Sequence, residues 1–200
     1  MGLYDSQTYL QDLDLVIDNN QNTLRELRGT RILITGASGL VCSPIVDLIL
    51  RSNNRLGTDI DLYLAGRSEE RLKKRFPGNK FTFVPYDATE KNHFDFHTDY
   101  IIHGASNSGP KDIAARGIET MLDNFNGMYE LLEFASRESA KNTLYISSSE
   151  VYGKKKSIEP FTEDEYGDIL DVNSDGEYEI NGQKVKAADL MEAFYELFIK

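Results

Sequence analysis

Residues 36–42, Gly-Ala-Ser-Gly-Leu-Val-Cys, follow a short apolar strand and precede an apolar-rich helix. Gly36 permits a tight turn, and Gly39 lets the backbone approach a bound anion. The first turn of the helix adds free N–H groups and the positive end of its dipole. This pattern predicts a pyrophosphate site for a dinucleotide, made by Gly36, Ala37, Ser38, Gly39 and Leu40. An ordinary strand–helix turn is the alternative.

Cys42 stands where a third glycine would pack this helix against the strand. Cysteine is small and often buried. We therefore expect only looser packing at that position.

Arg67 lies just after the second predicted strand, in the segment Ala65-Gly66-Arg67-Ser68. A site for NAD places a carboxylate there for the ribose hydroxyls, whereas an arginine suits the 2′-phosphate of NADP. Arg67 therefore favours NADP slightly over NAD. A solvated loop arginine is the alternative.

Small and polar residues follow the next two strands. Asp87 is predicted to accept from an adenine amino group with Ala88 packing beside the ring, or else to form a turn with its own backbone. Gly104, Ala105 and Ser106 leave room at a strand's carboxyl end, where ligands of open α/β sheets bind. These five residues complete the predicted cofactor site.

Hydroxyl groups and one carboxylate end the fifth predicted strand, in Ser147 to Gly153. Hydroxyl groups at this place are expected to hydrogen-bond a substrate carbonyl or alcohol, and Glu150 is expected to act as a general base. The alternative is a polar strand end whose hydroxyls cap backbone groups.

Strands and helices alternate along the chain. The pattern predicts strands at 31–35, 60–64, 81–84, 100–103 and 143–147, with helices at 43–50, 69–75 and 118–136 between them. One or two amphipathic helices, broken near 19–20, come first. Alternation of this kind is typical of a doubly wound parallel sheet, a Rossmann-like α/β fold.

Composition indicates three segments: a helical extension at 1–28, a dinucleotide-binding domain at 29–156 and an acidic appendage at 157–200. The net charge is −11, and the appendage carries twelve acids against three lysines. This balance disfavours nucleic acid and anionic membranes as partners. One cysteine and no apolar run of membrane-spanning length favour a soluble, cytoplasmic protein.

The segments 35–40, 87–88, 102–106, 124–132 and 147–153 together resemble the extended short-chain dehydrogenase/reductases. Within that group they are similar to the NAD-dependent epimerase/dehydratase family of sugar-nucleotide enzymes. The resemblance covers about residues 30–155. It implies that Ser148 matches the catalytic Ser/Thr, Glu150 an acidic position of the dehydratases, and Asn124 a helix asparagine supporting the fourth strand. It also implies a sugar nucleotide as substrate.

The resemblance has one large departure, the Tyr-x-x-x-Lys pair that the family uses after the fifth strand. Tyr152 and Lys156 have this spacing but come too early, and no later tyrosine has a lysine four residues on. We therefore expect a truncated or catalytically impaired member. A non-catalytic dinucleotide-binding or protein-interaction module is the alternative.

The acidic appendage contains a predicted hairpin around Asn181-Gly182, followed by an amphipathic helix at 187–199. Asp171, Asn173 and Asp175 match the opening of a calcium loop, but Gly182 stands where the closing carboxylate belongs. An acidic turn is the favoured interpretation over calcium. His93 and His97 flank a predicted loop and are interpreted as structural or solvated.

Overall fold

The computed structural model describes residues 3–106, 117–152 and 158–163, and the backbone of strands at 177–180 and 183–186. The chain divides into two units, Met1–Ile146 and Ser147–Lys200. The helical extension lies within the first unit. The boundaries expected after residues 28 and 156 stay predictions.

A parallel sheet forms the centre of the first unit. Its strands are β1 (Arg31–Thr35), β2 (Asp61–Gly66), β3 (Thr82–Pro85), β4 (Tyr100–His103) and β5 (Asn142–Tyr145). Their order is β3-β2-β1-β4-β5, and every neighbouring pair is parallel. The predicted fold class is confirmed. Because the order reverses between β1 and β4, their carboxyl ends form the topological switch point, where such sheets bind ligands.

Among the described residues of this unit, five α-helices accompany the sheet: α1 (Gln7–Asn19), α2 (Gln21–Glu26), α3 (Cys42–Leu56), α4 (Glu69–Arg75) and α5 (Gly117–Glu138). The predicted break at 19–20 is confirmed, with Asn20 between α1 and α2. Helix α3 is longer than predicted and ends at Gly57, which adopts a left-handed conformation with φ 60°. Its last turns are polar, so apolar periodicity did not reveal them.

Alternate residues of β1 build the core on the two faces of the sheet. Ile32 and Ile34 pack into one cluster with residues of α3 and α4. Leu33 points the other way and packs with Leu131 and Phe134 of α5. This alternation follows from the two-residue period of a strand whose faces are both covered.

The N-terminal helices form an extra layer, because α1 packs on α3. Asp14 of α1 accepts two hydrogen bonds from Arg51, of 2.5 and 2.6 Å, and one of 2.9 Å from Arg55. Beneath them, the fully buried carboxylate of Asp47 accepts from Arg75 and from the hydroxyls of Tyr4 and Tyr9. The extension is therefore tied to the sheet domain through charged groups of α3 and α4.

The second unit contains a 3-10 turn at Ser149–Tyr152 and the hairpin of β6 (Glu177–Ile180) with β7 (Gln183–Lys186). The antiparallel pairing confirms the predicted hairpin. The predicted helix at 187–199 lies outside the described residues. Among the described helices, none is long and apolar enough to cross a membrane.

Candidate cofactor-binding site

The turn after β1 contacts the loop after β4 directly. Gly36 has φ +65°, and a β-carbon there would lie 2.5 Å from the carbonyl oxygen of Gly104 and 2.8 Å from the nitrogen of Ala105. A side chain at position 36 would therefore collide with backbone. Glycine is required here both by conformation and by space.

The rest of the turn leads into α3, and its residues 39–41 are exposed to solvent. The N–H of Gly39 donates to Gly36 O at 2.8 Å, and the N–H of Ser43 donates to Gly39 O at 3.0 Å. Helix α3 has Val41 as its N-cap, without a side-chain capping bond. Leu40 is 92% exposed. The first N–H groups of a helix without a side-chain cap are suited to binding an anion.

Cys42 does not loosen the packing as expected, because it packs against a glycine of the neighbouring strand end. Its side chain is buried, and a β-carbon at Gly104 would overlap the Cys42 sulfur. The small residue that lets helix and strand approach is therefore on the β4 side. Burial raises the pKa of the Cys42 thiol, which keeps it protonated.

The hydroxyl of Thr35 connects the two strand ends at the switch point. Its oxygen accepts from the N–H groups of Gly104 and Ala105, both at 3.2 Å, and lies 2.6 Å from Nδ1 of His103. Since two donors already use the oxygen, its single hydrogen is donated to Nδ1. His103 is thus neutral, with its proton on Nε2.

The imidazole of His103 is 1% exposed, and this burial lowers its pKa to about 4. Tyr145 of β5 stacks on the ring with centroids 5.4 Å apart, and Tyr86 meets it edge-on at 6.3 Å. A neutral, fully packed ring suits a structural role. It holds the loop that begins with Gly104.

A cleft of about 490 Å³ opens at the carboxyl ends of β2 and β3. It brings together two residues that the sequence singled out, Arg67 and Asp87. Arg67 is exposed and directly follows β2, which includes Ala65 and Gly66 rather than ending before them. The full lining is Gly66, Arg67, Pro85, Tyr86, Asp87, Glu90, Lys91, Asn92 and His93.

Asp87 forms the turn that was its alternative interpretation. Its Oδ1 accepts from the N–H and the hydroxyl of Thr89, at 3.0 and 2.9 Å. The Asn92 side chain closes the same loop by accepting from the N–H of Asp87 at 2.9 Å and donating to its carbonyl at 2.8 Å. Neither Asn92 nor Lys91 was predicted from the sequence as part of this site.

The other predicted cofactor residues lie around these two features. Ala88 faces α5, since a β-carbon at Gly127 would lie 3.5 Å from its own. Ala105 packs against the α5 side of the core, and Ser106 is exposed. Their roles toward an adenine or a nicotinamide ribose stay predictions.

Both predicted catalytic residues belong to the second unit. Ser148 is exposed, and its carbonyl accepts from the N–H of Val151 at 3.3 Å. Glu150 falls within the 3-10 turn that follows, and the aromatic ring of Tyr152 stacks on Phe161 at 5.3 Å. Their catalytic roles stay predictions.

The predicted calcium ligands Asp171, Asn173 and Asp175 lie outside the described residues. Within the part that is described, no group of three or more His, Cys, Asp and Glu side chains is placed to hold a metal. His93 lines the cleft, and His97 lies 3.6 Å from Glu138.

A sequence model of the NAD dependent epimerase/dehydratase family matches residues 32–195. UDP-glucuronic acid decarboxylase 6 of Arabidopsis thaliana is 31% identical over 139 residues, which are 70% of this chain and 39% of that protein. A UDP-N-acetyl-alpha-D-glucosaminuronate decarboxylase of Bacillus cytotoxicus is 29% identical, over 68% of this chain and 41% of its own length. The chain thus spans about two fifths of these relatives.

Solved structures with the same fold include two epimerases. UDP-N-acetylglucosamine 4-epimerase from Methanobrevibacter ruminantium matches 86% of this chain and 50% of its own, with a TM-score of 0.56 at 18% identity. UDP-glucose 4-epimerase from Bifidobacterium longum, solved with NAD+ and UDP, matches 68% of this chain and 42% of its own, with a TM-score of 0.50 at 22% identity. At these identities the likeness concerns the fold.

Proposed function

The chain belongs to the NAD dependent epimerase/dehydratase family, and we propose that its first unit binds a nicotinamide dinucleotide at the switch point of the sheet. The contact between Gly36 and the loop at Gly104 carries this proposal. It brings a glycine turn, an uncapped helix start and a small-residue loop to one sheet edge, which suits a pyrophosphate and the riboses beside it.

Under this proposal the pyrophosphate binds at residues 36–40 and the nicotinamide end at residues 104–106. The adenine end binds at the cleft lined by Arg67 and Asp87, with Ala88 next in the chain. The cofactor supplies hydride transfer. Arg67 supports a preference for NADP over NAD, because its guanidinium can donate two hydrogen bonds to a 2′-phosphate.

Fluorescence titration with NADH and NADPH tests the binding site. Gly39→Val places a branched side chain on the exposed turn and is expected to abolish binding of both. A β-carbon at Gly39 would lie 3.0 Å from Gly36 O. Circular dichroism and the urea midpoint must therefore show that the variant is folded. Unchanged affinity in a folded Gly39→Val protein would contradict the proposed site.

We further propose that a sugar nucleotide is the substrate and that these 200 residues by themselves turn it over slowly. Two residues carry the proposed chemistry: Ser148 polarises a substrate oxygen and Glu150 serves as base. Beyond Tyr152, no tyrosine of these 200 residues has a lysine four residues on, so the expected tyrosine acid–base group has no lysine partner. General acid–base catalysis contributes about a hundred- to ten-thousand-fold in rate, and turnover without it is expected to be slow.

Steady-state turnover of several UDP-sugars, in wild type, Ser148→Ala and Glu150→Gln, tests this second proposal. The expected result is cofactor binding with slow turnover that falls further in both variants. Fast turnover that is lost in Ser148→Ala would refute the expected impairment. Cofactor binding with no turnover in any protein would favour a non-catalytic binding module instead.

A further inference from the structure

Two exposed cations, Arg67 and Lys91, line the cleft at the ends of β2 and β3. Within the described part of the chain, neither has a hydrogen-bond or ion-pair partner. Elsewhere in this acidic protein, three arginines of α3 and α4 are bound to carboxylates: Arg51 and Arg55 to Asp14, and Arg75 to Asp47. The cleft therefore brings together two uncommitted positive charges.

The loop that carries Lys91 is held by hydrogen bonds on both sides of it. The Asn92 side chain donates to the carbonyl of Glu90 at 2.8 Å as well as to that of Asp87. Glu130 of α5 accepts from the N–H and the side-chain amide of Asn92, both at 3.1 Å. Lys91 thus projects from a braced loop, so less backbone freedom is lost when it contacts a ligand.

We infer that Lys91, together with Arg67, binds the 2′-phosphate of NADP and so sets the cofactor preference of the site. This inference rests on the proposed dinucleotide function. A 2′-phosphate brings two negative charges and three acceptor oxygens, which an arginine and a lysine can share. NAD carries an uncharged hydroxyl at this position, so Lys91 adds little to the binding free energy of NAD.

Two carboxylates line the same cleft and act in the opposite sense. Oδ1 of Asp87 is used by Thr89 within its turn, whereas Glu90 is exposed beside Lys91. Like charges repel, so Glu90 is expected to weaken binding of a 2′-phosphate. Substitutions of the neighbouring residues Lys91 and Glu90 are therefore expected to change the affinity for a 2′-phosphate in opposite directions.

Titration of the full chain with NADPH and NADH, at fixed ionic strength, tests the inference. Lys91→Gln is expected to raise the Kd for NADPH about five- to tenfold and to change the Kd for NADH by less than about twofold. Glu90→Gln is expected to lower the Kd for NADPH about two- to threefold. Lys80→Gln is the matched control, because Lys80 is exposed and does not line the cleft.

Competition by adenosine 2′,5′-bisphosphate and by 5′-AMP reports on the 2′-phosphate alone. The bisphosphate should displace NADPH more effectively than 5′-AMP, and Lys91→Gln should narrow that difference. If Lys91→Gln changes both dinucleotides equally, or neither, the inference is wrong while the dinucleotide site stands. If wild type binds neither dinucleotide, the proposed function fails and the inference fails with it.

Discussion

Protonation of His103 is expected to destabilise the first unit between pH 6.5 and pH 4. The buried ring has a pKa of about 4, below its ordinary value of 6.5. Between these values the unfolded chain binds a proton that the folded chain does not. The contribution of the neutral ring to the free energy of unfolding is therefore fully present above pH 6.5 and is lost as the pH falls toward 4. A protonated Nδ1 also loses the hydrogen bond from Thr35.

The size of the effect follows from the pKa difference. Each pKa unit corresponds to about 1.4 kcal/mol, so the full contribution is about 3 kcal/mol. Solvent screens the charge on this ring little, because His103 is 1% exposed. This is a large share of the total stability of a typical domain, about 5–15 kcal/mol.

Urea unfolding at pH 7.5, 6.5, 5.5 and 4.5, in wild type and His103→Asn, measures the effect. Asparagine keeps an acceptor for the Thr35 hydroxyl but does not titrate in this range. The free energy of unfolding of wild type, relative to that of His103→Asn, should fall by about 2.5 kcal/mol from pH 7.5 to pH 4.5, because carboxylate titrations cancel. His93→Asn, at an exposed position, is the control. A difference that stays constant with pH would show that the buried imidazole of His103 does not have a lowered pKa.

Three further predictions follow from the packing, each checked by urea unfolding at pH 7.5. Gly36→Ala should cost at least about 2 kcal/mol, since it combines a positive φ with overlap on the Gly104 backbone; a loss under about 0.5 kcal/mol would contradict the contact. Gly104→Ala should be destabilising and partly rescued by Cys42→Gly, with a coupling of about 1–2 kcal/mol; additive effects would show that the two do not touch. Asp47→Asn should cost about 3–5 kcal/mol because it removes the charge that balances Arg75, and a neutral result would mean that the pair is solvated.

The strand–turn–helix at β1 and α3 could be predicted from the sequence because its determinants are local. An apolar run favours the strand, and Gly36 provides the positive φ of the turn. The alternation of strands and helices likewise predicted the parallel sheet, and Asn181-Gly182 predicted the hairpin. Ends of elements were less certain, as in α3, because polar residues such as Ser52 are buried there.

The segments of the candidate site were predicted one by one from the sequence, but their positions relative to each other in space could not be predicted. Arg67 and Asp87 were each singled out beside a strand end, but a cleft shared with Lys91 depends on β2 and β3 lying next to each other. Asp87 also carries a turn signal that is compatible with either of its two interpretations. The bonds to Thr89 show that the turn forms, and the contact with an adenine stays a prediction.

Residues close together in the sequence specify the separate parts: a glycine turn, an arginine after β2, small residues after β4, and the alternation of a parallel α/β fold. How these parts meet depends on the pairing of distant strands. Thr35 and His103 are 68 residues apart, and they touch because the strand order places β4 beside β1. The same pairing sets Cys42 against Gly104, so the missing third glycine is compensated from another strand. Local pattern determines conformation, whereas contacts between distant residues depend on how the strands pair.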